Sequence, residues 1–261
     1  MTIFKHELKQ GRLSLIIWTA AIAFMMAACI LIYPQMGTQM DEISKSFAEM
    51  GGFSQAFGMD KLNFGEFIGF FGIECGNVLG LGGAFFAALL GVSALAKEEK
   101  EHTAEFLLTH PISRIRVITE KLLAVVAQLA ILNLAVIAIS ALSMVAVDVS
   151  ADGKTLALLY LAYFLMQLEI AAITFGISAF IRGSGMGVGL GLATTMYFVN
   201  IIANLMDETK FLKYITPFGY TDGAEIINSQ AIPAGYLSVG MLAGAIAIVC
   251  AYIKYTKKDI A

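Results

Sequence analysis

Two carboxylates stand where a carboxylate is costly. Glu169 sits at the middle of the apolar run Thr155–Ile181, and Glu74 lies toward one end of the run Phe67–Ala96. A charged acid at the centre of a bilayer costs roughly 2.5–3.5 kcal/mol on insertion scales, so it must face a helix bundle or a wet cavity. Two roles fit Glu169. It can line a substrate or proton path, or it can sit neutral or hydrogen-bonded to polar neighbours such as Gln167 and fix packing. A lone acid with no partner acid or His makes a poor proton relay, which favours packing.

Other chemistry finds no support. His6, His102 and His110 have no metal-ligand partner at useful spacing. The chain has no G-x-S-x-G elbow, no His-Glu-x-x-His, and no phosphate-cradling G-x-x-x-x-G-K-[ST]. Cys29, Cys75 and Cys250 all lie in apolar runs without metal spacing, and read as small apolar residues. We therefore expect no catalytic residue, no cofactor site and no metal site on this chain.

The elements that carry these residues follow from composition. Of 261 residues, 58% are hydrophobic and only 14% are charged, where soluble domains carry about a quarter. Mean hydropathy is +0.78. A net charge of −3 with scattered bases argues against a nucleic-acid partner. Six apolar runs stand near Leu13–Tyr33, Phe67–Ala96, Leu122–Val147, Thr155–Ile181, Gly185–Leu205 and Tyr236–Tyr255. Lipid offers backbone groups no partners, so each run should be a helix. The fold class is thus an all-α integral membrane protein, a single six-span domain over residues 1–261. The "MAAC" at Met26–Cys29 resembles a lipoprotein cleavage box. The run around it is about 21 residues, the length of a span and too long for a signal peptide.

Six spans leave both termini on one side. Twelve Lys and Arg fall on that side and five on the other. The basic side should be cytoplasmic, in a multi-pass protein of the cell membrane. Residues 1–12, with Phe4 and Leu8 beside Lys5, Lys9 and Arg12, fit an amphipathic lead-in lying in the headgroup plane, or equally a solvated tail. In the first outer loop "DEISKSFAEM" reads as a short amphipathic helix. The long outer loop 206–235 is neither fully apolar nor fully polar. A re-entrant course, allowed where protein buries it, and a course along the membrane surface both fit.

Glycines repeat at steps of three and four in the second span, including Gly72, Gly76 and Gly80, and again at Gly183, Gly187 and Gly191 in the fifth. Gly240 and Gly244 give a weaker version in the sixth. Small faces let helix backbones come close in lipid. Packing within the chain is the simpler use of these faces, and packing between chains is the other.

The densest charge falls between spans two and three. "AKEEKEHTAEFLLTHPISRIRVITEK", Ala96–Lys121, holds five acids and five Lys/Arg in 26 residues. Pro111 should stop a helix there, and Ser113 can cap a new one starting at Arg114. The apolar "FLLTHPI" needs cover from headgroups or a protein partner.

This stretch closely resembles the loop between spans two and three of ABC-2-type transporter permeases. Their pattern runs like E-x-x-x-x-T-x-E-x-L-L-x-x-P-[IV]-S-R, followed by a lysine. Thr103, Glu105, Leu107, Leu108, Pro111, Ser113, Arg114 and Lys121 match it, Glu99 stands one residue past the pattern's first glutamate, and His102 departs where many members have glycine. "FSQAFGMDKLNFGEF" and the six-span plan are similar to the family as well. The resemblance implies the membrane half of an ATP-driven exporter. Residues 97–121 would form a cytoplasmic coupling helix seated on a separate ABC ATPase, which would hold ATP and Mg. A second permease, identical or related, would complete the pathway. The cargo would be a peptide, a lipid-like molecule, a drug or a toxin. A membrane-embedded immunity or sensor protein with the same fold is the alternative.

Overall fold

The computed structural model describes residues 2–36, 51–56, 61–63, 65–100, 113–181, 183 and 185–257. Every regular element among them is helical. In chain order they are α1 (Thr2–Met36), the short α2 (Gly52–Ala56), α3 (Phe67–Cys75), a π-helical turn (Gly76–Leu81), α4 (Gly82–Lys100), α5 (Arg114–Ala146), α6 (Gly153–Ser178), α7 (Met186–Leu205), two 3₁₀ turns (Asp207–Tyr214 and Pro217–Tyr220), α8 (Gly223–Ser229) and α9 (Ala234–Lys257). Six helices are long and apolar enough to cross a membrane, with α3, the π turn and α4 forming the second. Each overlaps one of the six apolar runs.

Local chemistry sets the span ends. Ser113 is extended and its hydroxyl accepts from the Arg116 amide at 3.3 Å, so α5 starts at Arg114 as the sequence predicts. Asp152 caps α6 by accepting from the Thr155 amide at 2.9 Å and its hydroxyl at 2.7 Å. Those two bonds hold the Asp152 carboxyl below its usual range.

The second and fourth spans are the most buried. The fourth, α6, packs on α4, α9 and α5, while α7 lies along α4 and α1 along α5. Large apolar side chains such as Phe24, Leu142, Phe198 and Leu242 face outward, as lipid contact requires.

Residues 2–12 are helical and continue directly into the first span. Thr2–Met36 is one helix, roughly 50 Å long at 1.5 Å per residue, against a hydrocarbon core of about 30 Å. The extra length runs straight on along the start of α5. Lys121 Nζ meets Glu7 Oε1 at 2.7 Å, the Phe4 amide donates to Glu120 Oε2 at 3.1 Å, and Ile3 is buried. A charge pair distant in sequence thus holds this end of α1 against α5. The helix expected at 41–50 lies outside the described residues.

The 206–235 segment returns to the bundle. Pro217, Phe218, Gly219, Tyr220 and Thr221 are all buried. Thr216 Oγ1 donates to the Met196 carbonyl at 2.8 Å, well inside α7. A Cβ on Gly223 would stand 2.9 Å from the Gly72 carbonyl oxygen, so the start of α8 lies flat on α3.

Candidate functional site

Four polar side chains of α6 point into the bundle at successive depths, and all four are buried: Thr155, Tyr163, Gln167 and Glu169. Thr155 Oγ1 accepts from Gln230 Nε2 at 2.6 Å. Tyr163 donates to the Thr221 carbonyl at 3.0 Å. Gln167 Oε1 accepts from Asn133 Nδ2 of α5 at 2.6 Å. Glu169 Oε2 accepts from the Tyr220 hydroxyl at 2.8 Å. Three of the four partners belong to the stretch between α7 and α9. Polar groups that would be costly in an apolar bundle are therefore what tie that stretch to the fourth span.

Glu169 has its partner in Tyr220 and not in its chain neighbour Gln167. Tyr220 is fully buried. Gly240 of α9 presses on the same carboxyl group, and a Cβ there would meet Glu169 Oε1 at 2.7 Å. Three elements thus converge on one acid. Glu74 behaves otherwise. It is half-buried, and Cys29 Sγ of α1 donates to its Oε2 at 3.5 Å. The structure keeps the two acids apart, each with its own partner. Neither bond is legible in the sequence, because each spans more than forty residues.

The glycines divide by face. A Cβ on Gly76 would stand 2.9 Å from the Tyr163 hydroxyl, and one on Gly80 3.0 Å from the Tyr163 ring. Gly72 meets Ile227, and Gly83 meets Gln167. The second-span glycines therefore let α6 and the 223–229 helix close in. Tyr163 fills the place where α3 gives way to the π turn, a bulge of the kind that often marks functional positions. In the fifth span the spacing at 183, 187 and 191 packs on none of the described residues. Gly187 and Gly191 face open space, and Gly183 takes φ +105° in the turn before α7. The neighbours Gly185 and Gly189 make the contact instead, against Val92 and Ala88.

The charged segment is framed at both ends. Glu99 lies in the last turn of α4. Thr103, Glu105, Leu107, Leu108 and Pro111 lie outside the described residues. After Ser113, Arg114 Nη1 donates to the carbonyls of Thr256 at 3.3 Å and Tyr255 at 3.5 Å, at the end of α9. A cation on the last carbonyls of a helix is favourable for its dipole. Together with Lys121–Glu7, this joins the start of the third span to the first and sixth spans on the face that carries the termini.

A search of curated proteins found no match to this chain. The family described as ABC-2 family transporter protein matches residues 1–260, almost the whole length. That match, with six apolar helices and the capped start of α5 where the family motif ends, makes one conclusion: the chain belongs to the ABC-2 transporter family and is a multi-pass membrane permease.

Proposed function

We propose that this permease is the membrane half of an ATP-driven exporter, moved by a separate ABC ATPase through residues 97–121. The observation that carries the reading is the stiff frame around that segment. On its entry side α4 runs to Lys100, and on its exit side α5 starts at Arg114. The exit is held by the Ser113 cap, the Arg114 bonds to α9 and the buried Lys121–Glu7 pair. A push on the segment would reach the first, second, third and sixth spans together. Charge at a helix surface would do none of this by itself.

In this reading the face with the termini is cytoplasmic, in line with its twelve Lys and Arg against five. The stretch 216–230 then enters the outer half of the membrane and returns, with its polar groups met by Glu169, Tyr163 and Thr155 of α6. The exposed Gly187 and Gly191, with exposed Thr195 one turn on, offer a small-residue face to a second permease. The cargo is a peptide, a lipid-like molecule, a drug or a toxin.

The test is affinity purification of the tagged full chain from its own membrane. An ATPase carrying G-x-x-x-x-G-K-[ST] should co-purify in fixed ratio, and its ATP turnover should respond to this chain. A chain that purifies without such an ATPase, under conditions where other permease complexes stay intact, overturns the reading.

A further inference from the structure

A cavity of about 80 Å³ opens between α3 and the π turn, α7, α6 and the stretch 218–224. It has room for several waters. Its walls carry Asn77 from the π turn, Tyr197, Asn200 and Asn204 from α7, Tyr163 from α6, and Asp222. Asparagines in an apolar bundle are costly unless they meet a partner. Asn204 Nδ2 donates to the Ala56 carbonyl at 3.2 Å, while its buried Oδ1 has no hydrogen-bond partner among the described residues. The side chains of Asn77 and Asn200 and the Tyr197 hydroxyl are all half-buried. Among the described residues they make no hydrogen bond within the chain.

The electrostatics select the class of guest. Among the described residues, Asp222 is the one ionisable carboxyl on the wall, and it is already committed. Its Oδ1 accepts from the Ala224 amide at 3.1 Å and the Glu225 amide at 3.3 Å, and its Oδ2 meets buried Lys213 Nζ at 3.2 Å. What remains unmet is a set of neutral donors and acceptors: amides and a phenol. The Tyr197 ring packs edge-on against Phe218 at 5.4 Å, so an aromatic pair borders the same space. Amides beside aromatic rings suit a guest with hydroxyl groups on a partly apolar frame. They suit an ion poorly, because desolvating its charge would go uncompensated.

We infer that this cavity binds a small neutral hydroxyl-bearing group, of the kind carried by a polyol, a sugar or a glycolipid head. That the guest is the transported cargo rests on the export reading above; that it binds does not. The site belongs to a single chain, and its amides come from two different spans. A shift of α7 against the π turn would open or close it.

The test needs neither ATP nor an ATPase, so its failure is separate from failure of the export reading. The full chain in nanodiscs is exposed to glucose, glycerol, glucose 6-phosphate and glucosamine, and saturation-transfer NMR reads contact. Glucose or glycerol should give transfer, and the two charged sugars little. Asn200→Leu and Asn77→Leu should each weaken the neutral sugar about two- to tenfold, the value of one neutral hydrogen bond. Tyr197→Phe, which keeps the ring on Phe218, should weaken it less. In nanodiscs that contain monoglucosyl diacylglycerol, native mass spectrometry separates the sources. Retention of that lipid, lost in Asn200→Leu, assigns a lipid head, and sugar binding without retention assigns a free solute. The inference is overturned if no neutral probe and no glycolipid binds, if charged sugars bind equally, or if all three variants bind like the parent.

Discussion

Tyr220 donates a 2.8 Å hydrogen bond to Glu169 across 51 residues of chain, and Gly240 closes on the same carboxyl group. The bond holds the stretch between the fifth and sixth spans inside the bundle. Tyr220→Phe removes the donor and leaves a buried acceptor one partner short. It should cost about 1–3 kcal/mol in thermal unfolding of the chain in nanodiscs. Glu169→Gln keeps an acceptor oxygen and should be mild. Glu169→Leu strands the Tyr220 hydroxyl and should cost as much as Tyr220→Phe. The Tyr220→Phe, Glu169→Leu double variant should then be less damaging than the sum, because both remove one interaction. A Glu169→Gln chain of full stability that no longer transports would assign the acid to the pathway instead.

The two glycine faces should answer differently to added bulk. A Cβ on Gly91 would strike the backbone carbonyl of Ala171 and the Thr174 side chain, so α4 and α6 would have to separate. Gly91→Ala should lower stability by about 1–3 kcal/mol, the usual cost of overpacking. Gly187 and Gly191 meet nothing among the described residues. Gly187→Leu should leave the melting temperature of the isolated chain unchanged and weaken association of two permeases, read by cross-linking in the membrane. An unchanged cross-linking yield would place the second permease on another face.

The helices were legible because lipid leaves them no alternative. Six apolar runs gave six helices, and Ser113 marked the start of α5 by its own side chain. What stayed hidden was pairing over distance. Glu7 reaching Lys121, Tyr220 reaching Glu169 and Cys29 reaching Glu74 depend on which helices are neighbours, and periodicity within one run does not carry that. The same limit applies to glycine spacing. Steps of four found the faces of the second span, yet in the fifth span Gly185 and Gly189 make the contact while Gly187 and Gly191 look outward. The π turn at Gly76–Leu81 also escaped a reading based on regular helical steps, since it inserts a residue into the pattern.

The topology has a direct check. Ser113, Ser150 and Ser229 are all exposed, the first on the face with the termini and the others at the opposite end. Single cysteines at these three positions, in a background without Cys29, Cys75 and Cys250, should react with an impermeant thiol reagent accordingly. On whole cells positions 150 and 229 should label, and position 113 only after lysis. Labelling of position 113 from outside would reverse the assignment of sides.

The last prediction concerns force transmission. If residues 97–121 receive the ATPase motion, two substitutions should separate contact from coupling. Leu108→Ala truncates an apolar side chain in "FLLTHPI", and an anchor buried at an interface is worth about 1–3 kcal/mol. Co-purification of the ATPase should weaken to match. Glu105→Ala should leave the fold intact and loosen the match of charges that sets register, so ATP turnover should continue while transport falls. Arg114→Ala acts one step further in. It loosens the hold of α5 on the end of α9, because the Tyr255 and Thr256 carbonyls lose the Arg114 donor while the Thr119–Tyr252 hydroxyl bond remains. It should leave ATPase binding in place and reduce transport per ATP hydrolysed. The three variants therefore predict three patterns: weaker assembly, uncoupling at the contact, and uncoupling within the membrane domain. If the charged stretch were only a solvated loop, all three would assemble and transport like the parent, and the frame around Arg114 and Lys121 would be structural support alone.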